Sequence, residues 1–250
     1  MSLKSREGGA FLISAIIPAR AGSKRINSKN TVLLGRHPLI AYSIIACKLA
    51  KNIDRVIVST ESRYIANIAL KYGAEVPFYR PDSLACDDSS DLGFLDHFFS
   101  KINVDKVALI RPTSPLRNPS VLDSTISNYA EHYRSDFTGF RSMCESNHSP
   151  YKMFQIKNKQ CIGFFDDYRG EKFYTNLPNQ TFPKSYTPNG YIDVVLKDTI
   201  LKQNSVFGNK IFGQETEEIV DIDNHFDLDL AGYQIDTKYD ILSVFLDKLE

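Results

Sequence analysis

From about residue 11 onward, short apolar runs alternate with longer amphipathic stretches along this chain. FLISAIIPA (11–19) and DRVIVST (54–60) have the length and β-branched content of buried strands. Between them, PLIAYSIIACKLAKN (38–52) carries apolar residues at helical spacing behind a proline suited to a first helical turn. This order is typical of repeated β-α units. We therefore predict an α/β fold in which a mostly parallel central sheet is flanked by helices.

The same pattern extends along the rest of the chain. Three prolines in RPTSPLRNPS (111–120) exclude a helix and a central strand, so we predict a shaped loop at a strand's end. We expect one domain over 11–250, a flexible N-terminus at 1–10, and an extension over 140–188 that packs beside the sheet. The further predicted elements are a helix over 62–73, a short strand over 74–79, a helix capped by Ser89 or Ser90, strands over 104–110 and 136–143, a helix over 120–133, a hairpin over 151–165, a strand and helix within 189–203, a strand over 217–223 and a helical end over 227–249.

Charge and composition exclude several classes of protein. The 250 residues include 30 basic and 30 acidic side chains, so no net charge draws the chain to nucleic acid or to an anionic membrane. The four cysteines form no C-x-x-C pair, which argues against a zinc or redox motif. No apolar stretch approaches the roughly 18 residues of a spanning helix, and residues 1–10 lack the apolar core of a signal peptide. We expect a cytoplasmic protein that binds neither nucleic acid nor membrane.

A basic loop follows the first predicted strand, where open α/β sheets bind their ligands. ARAGSKRINSKN (19–30) matches neither a Walker A loop nor a dinucleotide fingerprint. It still has the parts of a triphosphate site, because small residues allow close backbone approach and cations neutralise charge. The alternative is a merely solvated basic loop. The small residues are Ala21, Gly22 and Ser23, and the cations that can neutralise charge are Arg20, Lys24 and Lys29, with Arg25 beside them in the sequence.

A pair of aspartates forms a second candidate feature. In the predicted strand EEIVDID (217–223), Asp221 and Asp223 lie on the same face because alternate residues of a strand do. Two neighbouring carboxylates repel unless they are protonated or share a cation, and hard oxygen ligands suit Mg²⁺ held jointly with phosphate. The alternative is an acidic strand end that faces water. Together with the basic loop, the pair predicts a nucleotide site that uses Mg²⁺.

Several ordered blocks carry a resemblance to a known family. IIPARAGSKRINSKN (16–30) is similar to the N-terminal signature of the acylneuraminate cytidylyltransferases, which include the CMP-sialic acid synthetases and their legionaminic and pseudaminic acid relatives. The further matching blocks are DRVIVSTES, KYGAEVPFYRPDSLACDDSS, LIRPTSPLR, PNGYIDVV and VDIDNHFDLDLA, and the resemblance covers about residues 12–235.

The resemblance implies a fold, a reaction and a partner. It implies a Rossmann-like nucleotidyltransferase fold with a small dimerisation extension. The implied reaction is attack by the anomeric hydroxyl of a nine-carbon 2-keto sugar acid on the α-phosphorus of CTP, with Mg²⁺ present and pyrophosphate released. A homodimer is implied, in which the arm over 140–188 crosses to the partner and brings Lys184 or Tyr186 to the neighbour's substrate.

Roles for individual residues follow from the same resemblance. Lys24, Lys29 and Asp223 are implied to be catalytic, and Asp221 and Asp223 to hold the metal. The nucleotide is implied to contact Arg20, Ala21, Gly22, Ser23 and Asn30, with Arg80, Asp87, Ser89 and Ser90 near cytosine. The sugar acid is implied to contact Arg111, Thr113, Ser114, Arg117, Asn189, Gly190 and Tyr191, although Arg117 has the alternative role of bracing its loop.

Departures from the family pattern concern mainly the sugar side. Arg111 stands where sialic acid synthetases frequently have glutamine, and Asn179 where an arginine is common. Tyr191 and Asp193 also differ from the residues expected of a strict sialic acid enzyme. Ala21 stands where the family often has glycine, which is tolerated unless that residue needs a positive φ. We therefore favour a nonulosonic acid other than, or as well as, N-acetylneuraminate.

Two alternatives remain open at the level of the sequence. One is a synthetase that activates the eight-carbon sugar acid Kdo with CTP, since that class also begins with a strand and a basic loop. The other is a non-catalytic protein that binds CTP or a CMP-sugar. Retention of both lysines and both aspartates argues against the second alternative.

Overall fold

The structure is a computed structural model that describes residues 11–132, 136–237 and 241–249. Over these residues the chain forms ten strands and seven α-helices. The strands are β1 (Ile13–Pro18), β2 (Leu33–Leu34), β3 (His37–Pro38), β4 (Ile53–Ser59), β5 (Lys106–Leu109), β6 (Gly139–Glu145), β7 (Phe154–Lys157), β8 (Gln160–Gly163), β9 (Tyr186–Leu196) and β10 (Ile211–Glu215). The helices are α1 (Leu39–Leu49), α2 (Arg63–Lys71), α3 (Asp91–Lys101), α4 (Pro119–His132), α5 (Lys197–Gln203), α6 (His225–Thr237) and α7 (Ile241–Leu246).

Six strands form the central sheet in the order β10-β6-β9-β5-β1-β4. β1 pairs in parallel with β4 and β5, and β10 pairs in parallel with β6. Only β9 runs antiparallel to its neighbours in this sheet, β5 and β6. The predicted α/β fold with a mostly parallel sheet is confirmed.

The core explains why β1 and α1 form where they do. Ala15, Ile16 and Ile17 are fully buried, as expected of a central parallel strand that is covered on both faces. Every residue of helix α1 from Leu39 to Cys47 is buried, so protein covers this helix on all sides and not only on the side that faces the sheet. Because β1, β4 and β5 are parallel, the loops that follow them meet at one edge of the sheet.

Local capping confirms two predicted helix boundaries. The Ser62 hydroxyl accepts a hydrogen bond from the backbone N–H of Ile65 at the start of α2. Ser90 caps α3 in the same way, by accepting from the N–H of Gly93. Ser90 is therefore the cap, which decides between the two predicted serines.

Two predicted strands are wrong. Residues 74–79 form only an isolated bridge between Ile57 and Glu75, and Pro77 removes a donor that a strand would need. Residues 217–223 form no strand, and the last strand of the sheet is β10. In that segment the N–H of Ile222 donates to the carbonyl of Thr113 at 2.7 Å, so its hydrogen bond goes to a loop and not to a sheet.

The predicted hairpin within the extension is confirmed as β7 and β8. Next to it lies an aromatic cluster around Tyr151, whose ring stacks on Phe182 at 4.9 Å between centroids. Tyr168 and Tyr174 meet the same ring edge-on. This small cluster is separate from the core of the central sheet and packs the chain between β8 and β9. Among the helices over the described ranges, none is both long and apolar enough to cross a membrane.

Candidate functional site

A cavity of about 530 Å³ opens at the edge of the sheet where the loops after β1 and β5 converge. The basic loop forms one wall, and the chain from Arg80 to Phe94 forms another. The predicted site residues that line it are Arg20, Gly22, Ser23, Lys24, Lys29, Asn30, Arg80, Asp87, Ser89, Arg111 and Thr113. The structure thus brings most of the predicted nucleotide residues together.

Carboxylates on two sides pair the cations of the basic loop. Asp87 pairs with Arg20 at 2.9 Å and with Lys24 at 2.7 Å. The hydrogen bond from Lys24, together with the charge of Arg20, holds the pKa of Asp87 below its usual range. Asp223 pairs with Arg25 at 2.9 Å and with Lys29 at 3.3 Å. The mutual repulsion of the cations is therefore offset, and an incoming anion would compete with these two carboxylates.

Lys24 and Lys29 differ in how free their side chains are. The Lys24 side chain is 79% exposed, with its ammonium group on Asp87. The Lys29 side chain is only 15% exposed, and its Nζ also donates to the carbonyl of Ile222 at 2.9 Å. Lys29 therefore ties the basic loop to the segment that carries the paired aspartates, a holding role that sequence did not suggest.

The backbone of the basic loop needs no glycine at Ala21. Ala21 is not one of the described non-glycine residues that have a positive φ. Alanine is accommodated there in an ordinary conformation. Asn30, which is 9% exposed, donates from Nδ2 to the carbonyl of Arg20 at 2.8 Å. Asn30 thus holds the loop as well as lining the cavity.

Arg80 is a fixed part of the opposite wall. It is 5% exposed, and its Nε and Nη2 donate to the hydroxyl and carbonyl of Ser59 at 3.1 and 2.7 Å. Its guanidinium lies 4.7 Å from the centre of the Phe94 ring, within range of a cation-π contact. Burial lowers the pKa of Arg80 to about 10. The side chain is locked in one position beside the cavity.

Arg111 faces the cavity as part of a charge network. It pairs with Asp193 and with Asp91, each at 2.7 Å. Asp193 is 1% exposed and also accepts from Nε of Arg141 at 3.4 Å. Two residues that depart from the family pattern, Arg111 and Asp193, are therefore linked, because the buried carboxylate needs a cation. The charge of Arg111 is already balanced, so the prediction that it pairs with a substrate carboxylate stays a prediction.

Burial corrects the prediction that Arg117 contacts the sugar. Arg117 is 1% exposed, and Nε donates to the carbonyl of Tyr191 at 2.6 Å. The other donors of the guanidinium go to the Ser43 hydroxyl and to the carbonyls of Ser114, Arg111 and Gly190. All five N–H groups are used inside the protein, so the bracing alternative holds.

Neighbours of Arg117 are buried in the same brace. Tyr191 is fully buried, and its hydroxyl donates to Glu217 at 2.9 Å; burial raises its pKa. Asn189 is 8% exposed and donates to Thr216 and to the carbonyl of Glu217. Gly190 has φ +67°, and a Cβ there would lie 3.1 Å from the hydroxyl of Ser114, which is itself fully buried. Direct contact of Tyr191, Asn189 or Ser114 with a sugar is not supported, because these side chains are turned into the protein.

Replacing Arg117 by methionine is expected to lower the free energy of unfolding by about 2–3 kcal/mol, because several buried carbonyls lose their donor. Urea denaturation measures this. Arg55→Met, which removes an arginine from the exposed pair with Glu75, is the control and should cost less than about 1 kcal/mol. A stability equal to that of the control would contradict the bracing role.

The paired aspartates lie beside the cavity and not in its lining. Ile222 between them is fully buried, whereas Asp221 is exposed and Asp223 half-buried. The hydroxyl of Ser114 lies 3.5 Å from Oδ1 of Asp221. Over the described ranges, no group of three or more metal-binding side chains exists. Carboxylates suit Mg²⁺ when water and phosphate supply the other ligands, so the prediction that Asp221 and Asp223 hold Mg²⁺ stays a prediction.

Other predicted residues lie away from the cavity wall. Ala21 does not line the cavity, although its backbone N–H donates to Glu61, and Ser90 serves as the cap of α3. Lys184 is 68% exposed and pairs with Glu145 at 2.6 Å, while Tyr186 begins β9 and is 42% exposed. In a single chain, neither Lys184 nor Tyr186 lines the cavity.

Several residues at the cavity escaped the sequence analysis as site residues. Arg25 and Asp91 line it, as does Cys86. Arg25 had a signal, since it adjoins Lys24 in the basic loop. Asp91 had no such signal in the sequence, because its contact with Arg111 joins residues that are 20 positions apart.

Comparison with known proteins assigns the family. The sequence profile of the cytidylyltransferase family matches residues 14–229. The chain therefore belongs to the cytidylyltransferase family.

Among curated proteins, it is 45% identical over 120 residues to a CMP-N,N'-diacetyllegionaminic acid synthase of Legionella pneumophila, covering 44% of this chain and 50% of the relative. It is 33% identical over 225 residues to an N-acylneuraminate cytidylyltransferase of Escherichia coli, covering 88% of this chain and 51% of the relative. A pseudaminic acid cytidylyltransferase of Campylobacter jejuni is 30% identical over 180 residues, which cover 70% of this chain and 74% of the relative. The chain spans about half the length of the first two relatives.

A solved structure shares the fold. A CMP:2-keto-3-deoxy-manno-octonic acid synthetase in complex with CTP superposes with a TM-score of 0.68 at 13% identity, covering 90% of this chain and 98% of that one. At this identity the likeness concerns the fold alone, and it agrees with the predicted nucleotidyltransferase architecture.

Proposed function

We propose that the protein transfers CMP from CTP to the anomeric hydroxyl of a nine-carbon 2-keto sugar acid and releases pyrophosphate. The observation that carries this proposal is the cavity at the carboxyl end of the sheet, where the cations of the basic loop converge in a chain of the cytidylyltransferase family. Negative charge that builds on the leaving pyrophosphate requires such cations. Lys24 is the most exposed of the paired cations and the freest to follow that charge.

In the proposed complex, CTP lies against two walls of the cavity. The triphosphate lies along Arg20, Gly22, Ser23 and Lys24, and displaces Asp87 from its two cations. The cytosine lies toward Arg80, whose fixed guanidinium supplies a donor at an unchanging position. A preorganised donor of this kind favours one base over another because it does not reorient.

Asp221 and Asp223 are the residues that would hold Mg²⁺ in this proposal. When bound, Mg²⁺ would neutralise phosphate oxygens and lower the pKa of a coordinated hydroxyl. Asp223 also meets Arg25 and Lys29, so its carboxylate adjoins both the cations and the phosphate-binding loop. Lys29 keeps the two segments together whichever partner Asp223 has.

For the acceptor, we propose a nine-carbon acid in preference to Kdo. The relatives named above act, by their names, on legionaminic, sialic or pseudaminic acid, and they resemble this chain in sequence. The Kdo synthetase shares only the fold. Arg111 and Asp91 are the polar groups that the acceptor would meet on the cavity wall.

The test is a panel of acceptors with CTP and Mg²⁺, in which pyrophosphate and the mass of the nucleotide product are both followed. N-acetylneuraminate, legionaminate, pseudaminate and Kdo form the panel. Formation of a CMP-linked nine-carbon acid supports the proposal and identifies the acceptor. Turnover with Kdo alone would replace it by the eight-carbon alternative, and binding of CTP without any product would favour the non-catalytic one.

We also propose a homodimer in the cytoplasm, where CTP is available. The extension carries exposed apolar side chains on and beside the β7-β8 hairpin, including Phe154, Ile156 and Phe164 at 47%, 74% and 58% exposure. Exposed apolar side chains that are grouped on one element mark an interaction surface. A second copy of this chain fits, since such an arm could place Lys184 and Tyr186 near the neighbour's cavity.

Replacing Ile156 by glutamate is expected to shift the protein from dimer to monomer by at least about tenfold in Kd, because a charge would be buried in the interface. Sedimentation velocity over a dilution series measures this. Leu201→Glu, at a similarly exposed leucine on α5 (61% exposed), is the matched control and should leave the dimer intact. A wild-type protein that is fully active as a monomer at every concentration would contradict the proposal.

A further inference from the structure

One peptide group of the basic loop is held from both ends. The carbonyl of Arg20 accepts from Nδ2 of Asn30 at 2.8 Å, and the N–H of Ala21 donates to Oε1 of Glu61 at 2.6 Å. The carbonyl of Arg20 and the N–H of Ala21 belong to the same planar peptide unit. Two side chains from different parts of the fold therefore fix the orientation of this one plane.

The fold places Glu61 rigidly at this point, although it is 40 residues from Ala21 in sequence. Pro18 and Ser59 end β1 and β4 side by side, and the N–H of Ala19 donates to the carbonyl of Ser59 at 3.0 Å. Just beyond, the N–H of Ser62 donates to the hydroxyl of Thr60, and Ser62 caps α2. Glu61 is thus held between a strand end and a helix start, and not on a loose loop.

The charges around Glu61 also favour its hydrogen bond with the N–H of Ala21. Its second oxygen, Oε2, is buried and has no hydrogen-bond partner among the described residues. The positive charge of the buried Arg80 lies close enough to be stabilised by this carboxylate. A buried carboxylate oxygen without a hydrogen-bond donor is costly, and the nearby Arg80 guanidinium offsets part of that cost. The carboxylate is therefore available as a strong acceptor for the N–H of Ala21.

We infer that Glu61 is a positioning residue of the anion site: by accepting the N–H of Ala21 opposite Asn30, it sets the direction in which the Arg20 side chain and the following Gly22 and Ser23 backbone face the cavity. It does not line the cavity itself. The inference rests on the proposed function only for the identity of the nucleotide. It applies to any ligand that presents a diphosphate or triphosphate to this loop.

The test compares Glu61→Ala, Glu61→Gln and wild type in calorimetric titrations with pyrophosphate and with CTP. Loss of one charge-assisted hydrogen bond is expected to raise both Kd values about tenfold or more in E61A. Glutamine keeps an acceptor for the N–H of Ala21, so E61Q should stay within about threefold of wild type. Glu75→Ala removes the same charge from an exposed pair with Arg55 and should bind as wild type does.

Further variants keep the test decisive. Glu61→Asp withdraws the carboxylate by one methylene while keeping its charge, so it should weaken pyrophosphate binding as E61A does, even where E61A does not fold. Asn30→Ala combined with E61A should cost less than the two single losses added, because both hold one peptide. Wild-type affinity for pyrophosphate in E61A or E61D would overturn the inference. Equal loss in E61Q and E61A would also overturn it, since charge and not the hydrogen bond would then matter.

Pyrophosphate binding separates this inference from the proposed reaction. It needs neither cytosine nor a sugar acid, so a wild-type protein without turnover would count against the proposed function alone. Unchanged pyrophosphate affinity in E61A or E61D, with turnover present, would count against the positioning role alone.

Discussion

Asparagine in place of Asp223 is expected to slow pyrophosphate release from CTP by about a hundredfold to a thousandfold, the usual loss when one preorganised charge is removed from a reacting site. The carboxylate is the point where the basic loop and the segment of the paired aspartates meet, through Arg25 and Lys29. The asparagine amide keeps the shape of the carboxylate but not its charge, so it would bind both Mg²⁺ and the two cations more weakly.

The fold should survive this change because other groups hold the segment. The backbone N–H of Asp223 donates to the carboxylate of Asp227 at 2.8 Å, and Ile222 is fully buried with its own bond to Thr113. Asp198→Asn, which neutralises an exposed aspartate paired with Lys202, is the matched control. A D223N protein that keeps more than about a third of wild-type turnover would contradict a role in the transition state.

Alanine in place of Lys24 is expected to lower kcat about a hundredfold while changing the Kd for CTP much less. The Lys24 side chain is 79% exposed and ends on Asp87. In the free protein Lys24 already has Asp87 as its partner, so exchanging that carboxylate for a phosphate oxygen in the ground state gains little binding energy. Its larger contribution is expected as charge moves to the leaving pyrophosphate, which is the condition for an effect on kcat.

Single-turnover rates and CTP titrations on the same K24A sample separate the two effects. Lys202→Ala, another exposed lysine paired with an aspartate, should match wild type in both. A rise in Kd as large as the fall in kcat would show that Lys24 binds ground state and transition state equally, against the proposed role.

Most of the sheet and its helices could be predicted because their signals are local. β1 is a short run that is apolar apart from Ser14, and α1 has helical spacing behind a proline. The strand predicted over 217–223 failed for a physical reason: alternation of side chains describes any extended chain, whereas a strand also needs a neighbour for its hydrogen bonds. Here the N–H of Ile222 turns to Thr113, outside the sheet.

Site residues likewise fall into those that local sequence indicates and those whose contacts depend on the fold. The cations of the basic loop adjoin one another in sequence, and the structure places them on one cavity wall. Arg117 lies in the loop after β5 and Tyr191 lies within β9. Both are buried, because loop carbonyls and Glu217 accept their hydrogen bonds. Glu61 and Asp193 gain their contacts only through the fold, so no spacing in the sequence indicates them.

We propose above all that this cavity joins CMP to a nine-carbon sugar acid. The most direct measurement is the stoichiometry of pyrophosphate and CMP-sugar formed from CTP and Mg²⁺, with and without the best acceptor of the panel. We expect equal amounts of the two products and no pyrophosphate when the acceptor is omitted. Pyrophosphate release that is independent of any sugar acid, or CTP binding with no release at all, would contradict it.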